Sequence, residues 1–189
     1  MGKENLRIIL IGESGAGKSA TGNSILGSPK FDVSFGDQRR TYNCDFGDCK
    51  RFGINISIAD TPGLRNAEME RNEESIEVEN AIRLMQNRKG ENPNVFLYCI
   101  RMGRISEHTT KIMKAYEDIL GHEMMQYTII VFTCHDIWQL NCEQPGASDV
   151  LNDYESEITG YANKFIKQCR DRIYFNNNLS GEEQEKQVR

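Results

Sequence analysis

The sequence contains no apolar run long enough to cross a bilayer. No basic segment leads into an apolar stretch near the start, so a secretory leader is not expected. The chain opens Met1-Gly2, but Leu6 stands where a myristoylation signal wants Ser or Thr, so lipidation there is not expected either. Positive charge is in deficit, with 23 Lys plus Arg against 28 Asp plus Glu and a net charge of −5. That balance argues against a general nucleic-acid binder. It leaves a phosphate ligand open, because local groups decide that. The six cysteines (Cys44, Cys49, Cys99, Cys134, Cys142 and Cys169) form no CxxC, and no histidine pair has zinc spacing. The simplest expectation is reduced thiols in the cytosol, with Cys99 packing as a small hydrophobe inside an apolar run. Repeats, low-complexity stretches and long linkers are also lacking. What is present is an ordinary globular balance: 189 residues, 38% hydrophobic and 27% charged, enough for one domain with its own core.

Strand-like and helix-like segments alternate from end to end. Residues 6–11 form a short apolar run that stops at glycine, as a buried parallel strand does. Lys18–Leu26 reads as a helix stopped by Gly27 and Pro29, and residues 28–38 as a loop. Ile54, Ile56 and Ile58 alternate and lead to Asp60 at a strand end. Residues 73–88 predict a charged surface helix, 95–100 a buried strand, and 106–120 a helix N-capped by Ser106. A strand over 127–132, one long helix over 149–169, a short strand over 173–175 and the start of a last helix over 180–189 complete the pattern. Strand then helix, repeated, predicts an α/β fold with a mostly parallel central sheet and helices on both faces. Ligands of such folds bind at the carboxyl ends of the strands.

The first strand end carries Gly12-Glu13-Ser14-Gly15-Ala16-Gly17-Lys18-Ser19, a match to G-x-x-x-x-G-K-[ST] after a strand and before a helix. Its glycines let backbone N–H groups turn inward around a phosphate, and the helix N-terminus adds its dipole. Glu13, Ser14, Gly15, Ala16, Gly17, Lys18, Ser19 and Ala20 are therefore expected around the phosphates. Lys18 neutralises charge between the β- and γ-phosphates, and the Ser19 hydroxyl is a Mg²⁺ ligand. The second strand end carries Asp60-Thr61-Pro62-Gly63. Asp60 can hold Mg²⁺ through water, and Gly63 can offer its N–H to a γ-phosphate. Leu64 follows where Ras-like proteins place a water-orienting glutamine, and Ser14 puts a side chain where they carry glycine. The Ras mechanism is thus not available as written, and hydrolysis needs help from another group.

The base is read separately. Thr133-Cys134-His135-Asp136 resembles the guanine motif [NT]-K-x-D with Cys134 in the lysine position. A carboxylate at Asp136 can accept from guanine N1–H and the 2-amino group; adenine offers neither. Standing alone, Asp136 can equally cap a turn, and His135 reads as a solvated loop residue.

Together these segments resemble the AIG1 family, also called GIMAP, the GTPases of immunity-associated proteins. Residues 15–27 (GAGKSATGNSILG) carry the resemblance most distinctively. Residues 60–64 (DTPGL) match the family's form, residues 103–106 (GRIS) resemble its G-R-[FY]-T box, and Phe175-Asn176-Asn177 its fifth motif, whose asparagine contacts guanine. The resemblance covers about residues 6–178 and implies a three-layer P-loop NTPase, a G domain of the septin- and Toc-like kind that dimerises through its nucleotide face. It implies base contacts from Asn176 and Asn177, and makes Thr41 the switch threonine that reaches Mg²⁺. It also makes Arg104 a catalytic arginine supplied across a dimer, answering the missing glutamine; Arg104 can instead be a surface residue before a helix. Two departures stand out: Cys134-His135 replaces the usual basic residue, and Ile105 replaces an aromatic one.

The leading expectation is a cytoplasmic guanine-nucleotide switch, a single G domain over 1–189 with its final helix short or truncated. It binds GTP or GDP with Mg²⁺, hydrolyses GTP slowly with help from a nucleotide-dependent homodimer, and makes membrane contact only through segments outside this chain. Lys18, Thr41 and Arg104 are its expected catalytic residues; Ser19, Thr41 and Asp60 its metal residues. The alternatives are a GTP-bound scaffold with negligible hydrolysis, and an ATP-dependent P-loop kinase, which leaves Asp136 and Asn177 unexplained.

Overall fold

Asn5–Gly12 is β1, and its apolar run is buried on both sides. Successive side chains of a strand point to opposite faces. Ile8 and Leu10 therefore join one apolar cluster, and Ile9 and Ile11 the other. A strand buried on both faces needs a layer on each side, and the computed structural model shows both. It describes residues 5–33, 43–65, 73–90, 92–103, 105–141, 150–176 and 179–189.

After β1 come α1 (Lys18–Leu26), β2 (Asp45–Arg51), β3 (Ile54–Asp60), α2 (Glu73–Lys89), β4 (Val95–Arg101) and α3 (Glu107–Leu120). A 3₁₀ turn (His122–Tyr127) leads into β5 (Thr128–Thr133), followed by α4 (His135–Asn141), α5 (Val150–Glu157), α6 (Gly160–Gln168), β6 (Asp171–Phe175) and α7 (Gly181–Val188). The six strands form one sheet in the order β2-β3-β1-β4-β5-β6. All neighbours run parallel except β2, which pairs antiparallel with β3.

One face buries Leu26 of α1 and Phe31 against Ile8, Leu10, Ile56, Ile58, Leu97 and Val131, with Val188 of α7 packed on it. The other face carries α2, α3, α5 and α6, through Val78, Ala81, Met85, Ile112, Met113, Tyr154 and Phe165. Tyr98 on β4 meets Tyr116 and Phe165 edge-on, with centroids 5.4 and 5.1 Å away. Cys99 packs in the core as expected, and burial pushes its thiol up to about 12.

The expected helix over 149–169 is two helices. α5 ends at Glu157 and α6 begins at Gly160, with Thr159 extended before it. Ile158 between them is buried in the core, and Gly160 takes a left-handed backbone (φ 63°) that interrupts the helix. β2 is an unforeseen element. Its sequence, DFGDCKR, is polar, and it lies at the sheet edge with one neighbour.

A candidate nucleotide site at the strand ends

β1, β3, β4 and β5 end on one side of the sheet, and the polar segments that follow them meet there. The phosphate loop turns through Gly15 and Gly17, both at positive φ (80° and 82°). The Ala16 amide donates to the Glu13 carbonyl at 3.2 Å, and Thr21 N–H to the Gly17 carbonyl at 2.9 Å opens α1. No side chain caps α1. Its first turn thus presents backbone amides and the positive end of a dipole to an anion.

Lys18 is only 6% exposed. Its Nζ folds back over the loop, donating to the carbonyls of Glu13 at 2.9 Å and Gly12 at 3.3 Å. An ammonium anchored on two carbonyls stands at a fixed place above the loop, where it can meet a phosphate.

The end of β3 crosses directly onto this loop. Thr61 Oγ1 donates to the Leu10 carbonyl at 2.6 Å, and Ser14 N–H to the Leu64 carbonyl at 3.3 Å. A Cβ at Gly63 would lie 2.4 Å from Ser14 N, 2.5 Å from Ser14 Cα and 2.6 Å from Lys18 Nζ. No side chain fits there. Gly63→Ala is expected to force the third motif off the phosphate loop and lower triphosphate affinity by about a hundredfold, while the far core folds normally. Nucleotide titration beside far-ultraviolet circular dichroism checks it; wild-type affinity would show that the approach is not required. Leu64 is 1% exposed and belongs to the core, so its side chain takes no part in orienting water.

Ser19 Oγ donates to Asp60 Oδ2 at 2.6 Å, and Asp60 is 1% exposed. Two of the residues expected at a metal are thus in contact, one on each side of the loop. A hydroxyl and a carboxylate are hard oxygen donors. Among the described residues no group of three or more His, Cys, Asp or Glu could hold a metal. The pair fits a Mg²⁺ that draws its other ligands from water and phosphate, the usual manner of that ion. Cys44 lies near Asp60, and burial, then the carboxylates of Asp60, Glu77 and Asp45, push its thiol up to about 12.

The fourth motif is tied to the phosphate loop through Thr133. Its hydroxyl, fully buried, donates to the Ala16 carbonyl at 2.8 Å. Cys134 then takes a left-handed backbone (φ 57°), and α4 starts at once, with Asp136 in its first turn. His135 is not the solvated loop residue expected. It is half-buried as the first residue of α4, its ring 6.3 Å from Trp138 and 5.7 Å from Tyr174. Its Nδ1 lies 3.0 Å from Asn176 Oδ1, which joins the fourth motif to the fifth.

Two contacts escaped the sequence reading. Asn23 pins the segment after α1, its carboxamide accepting from Phe31 N–H at 2.7 Å and donating to the Phe31 carbonyl at 2.8 Å. Glu13 reaches α3, with Thr109 Oγ1 at 3.2 Å and His108 Nε2 at 3.4 Å. Ser106 caps α3 as expected, accepting from Thr109 N–H at 3.1 Å. Asn23 lies within the distinctive segment 15–27, which marked the residue but not its partner; the Glu13 contact depends on α3 being brought beside the phosphate loop. Thr41, Arg104 and Asn177 lie outside the described residues.

Among solved structures, Toc33 from Arabidopsis thaliana in complex with Mg²⁺ and GMPPNP superposes with a TM-score of 0.68 at 20% identity, covering 96% of this chain and 75% of that one. Era in complex with MgGDPNP and ribosomal RNA superposes at a TM-score of 0.62 and 16% identity, over 93% of this chain and 52% of that one. These likenesses establish the three-layer G-domain fold. By sequence, the chain is 32% identical over 189 residues to GTPase IMAP family member 8 of Rattus norvegicus, spanning 26% of that protein's length. It is 28% identical over 180 residues to Immune-associated nucleotide-binding protein 13 of Arabidopsis thaliana, spanning 50% of it. A model of the AIG1 family matches residues 6–189. On that match, and on the signature residues now placed around one loop, the chain belongs to the AIG1 family.

Proposed function

We propose that this chain binds GTP and GDP with Mg²⁺ and acts as a guanine-nucleotide switch. The observation that carries the reading is the meeting of Lys18, Gly63, Ser19 and Asp60 on one loop at the head of α1. Each residue has a distinct task there. The amides of residues 14–20 cradle the phosphates, and Lys18 balances charge at the β- and γ-positions. Ser19 and Asp60 hold the Mg²⁺, which when bound offsets the charge developing on the phosphates. Gly63 N–H reports the γ-phosphate, and its close approach to Ser14 lets that signal move the segment after β3. Asp136 reads the guanine edge, and Asn176 and Asn177 supply the further base contacts.

Hydrolysis in this reading is slow, because the Leu64 side chain is buried in the core and orients no water. Arg104, supplied from a second copy across the nucleotide face, stabilises the transition state, and Thr41 completes the Mg²⁺ shell. For the chloroplast translocon components Toc33 and Toc159, dimerization is important for the GTPase activity. The family resemblance extends that logic to this chain. The buried Leu64 also favours a second reading, a GTP-bound scaffold with negligible hydrolysis in a cytoplasmic setting.

Single-turnover hydrolysis at rising protein concentration separates the two. The switch reading expects a rate per protein that climbs as dimers form. It expects Arg104→Ala to remove that climb, slowing the dimer on the order of 10³-fold with nucleotide affinity unchanged. A flat rate across concentration sinks the trans-arginine mechanism and leaves the scaffold.

A further inference from the structure

α7 makes polar contacts that core packing does not require. It is two turns long, and Gln184, Gln187 and Val188 share its inward side at helical spacing. Gln187 grips a single residue of the neighbouring loop. Asn176 N–H donates to Gln187 Oε1 at 2.8 Å, and Gln187 Nε2 donates to the Asn176 carbonyl at 3.1 Å. A primary carboxamide paired with both the N–H and the C=O of one residue fixes that residue's backbone much as a strand neighbour would. Asn23 of α1 grips Phe31 by the same arrangement. The side chain of Asn176 is held as well, through Oδ1 at 3.0 Å from His135 Nδ1. Asn176 of the fifth motif is thereby held at three points, two of them from α7.

α7 is also fastened to α1. Gln184 Nε2 donates to Ser24 Oγ at 3.0 Å. Glu185 pairs with Arg51, whose Nη1 also donates to the Ser24 and Ile25 carbonyls at the end of α1, at 2.9 and 2.6 Å. α1 begins at the phosphate loop. One short helix therefore connects the last turn of the phosphate-binding helix to the loop expected to face the base.

We propose that Gln187 is a positioning residue for guanine recognition, and that its grip on Asn176 sets how long a guanine nucleotide stays bound. The proposal rests on the guanine reading above. Gln187 touches no ligand; it restricts the backbone from which the fifth motif presents its groups. Freed from that restraint, the loop must be ordered anew each time a nucleotide binds, and the cost appears as faster release.

The test uses the whole chain and a fluorescent GDP analogue, with release rates measured after adding excess unlabelled GDP. Competition by GTP and ATP gives base preference. Gln187→Ala removes both hydrogen bonds and is expected to speed release about tenfold and narrow the preference for guanine. Gln187→Glu keeps the acceptor for Asn176 N–H but turns a carboxylate oxygen toward the Asn176 carbonyl, and is expected to speed release as Gln187→Ala does. Glu185→Gln weakens a contact at the other side of the same helix, on a carboxylate that is 58% exposed, and is expected to leave release unchanged. If wild-type protein prefers guanine and Gln187→Ala releases GDP at the wild-type rate, the proposal is overturned while the guanine reading stands. Equal acceleration by Glu185→Gln and Gln187→Ala would indicate general loosening of α7 and overturn it too. Absence of any guanine preference in the wild type would remove both.

Discussion

Replacing Lys18 by alanine should abolish tight triphosphate binding, with a loss of about a hundredfold or more. Lys18 Nζ rests on the Glu13 and Gly12 carbonyls, so its position is set by the loop before any phosphate arrives. Removing it costs the charge that faces the phosphates and leaves two carbonyl dipoles without their cation. Arginine should not rescue. Gly63 lies so close that a Cβ there would sit 2.6 Å from Nζ, and a planar guanidinium needs more room than an ammonium. Both variants should keep the fold, since the core clusters on the two faces of the sheet do not depend on the ammonium. Calorimetric titration of Lys18→Ala and Lys18→Arg against GTP with Mg²⁺ checks this. Wild-type affinity in either folded variant would mean the loop does not hold phosphate.

The second large effect is expected at Asp136. Its carboxylate stands in the first turn of α4, immediately after the turn that Thr133 ties to the phosphate loop. An acceptor there suits guanine, which offers N1–H and the 2-amino group as donors. Asp136→Asn turns one acceptor into a donor. GTP affinity should fall by about a hundredfold, because a ligand donor then faces a protein donor in a buried setting. Xanthosine triphosphate, which carries a carbonyl at position 2, should gain relative to GTP. Competition between the two nucleotides measures the ratio directly. A ratio equal to the wild type would assign base reading to another residue and leave Asp136 as a helix-start residue only.

The parts of this fold that were legible in the sequence are those where local pattern and tertiary need agree. Residues 8–11 are apolar at every position because β1 is covered on both faces, and such a run has few alternatives. Ser106 announced α3 because a hydroxyl before a helix accepts from its first turn in isolation as in the fold. The phosphate loop was legible because the turn at Gly15 and Gly17 and the fold-back of Lys18 onto Gly12 and Glu13 are made within the motif itself.

What stayed hidden depends on distant partners. β2 has a weak hydrophobic signature, since it is an edge strand in which Phe46 and Cys49 pack against the core clusters and whose order comes from pairing with β3. The interruption between α5 and α6 combines a local break, Thr159 extended and Gly160 at φ 63°, with the burial of Ile158 in a core formed by elements far along the chain. His135 read as a loop residue because its partners, Tyr174 and Asn176, are some forty positions away. The grip of Gln187 on Asn176 follows no motif, and only the docking of α7 beside β6 brings the two together.

The central claim is that the groups gathered at the ends of β1, β3 and β5 form a guanine-nucleotide site with Mg²⁺. Isothermal titration of the chain with GTP, GDP and ATP, each with and without Mg²⁺, tests it most directly. The account predicts clear preference for both guanine nucleotides over ATP, and GTP binding that weakens when Mg²⁺ is withheld. Equal or tighter binding of ATP would contradict it, and would make Thr133-Cys134-His135-Asp136 a structural turn in a P-loop protein that serves adenine.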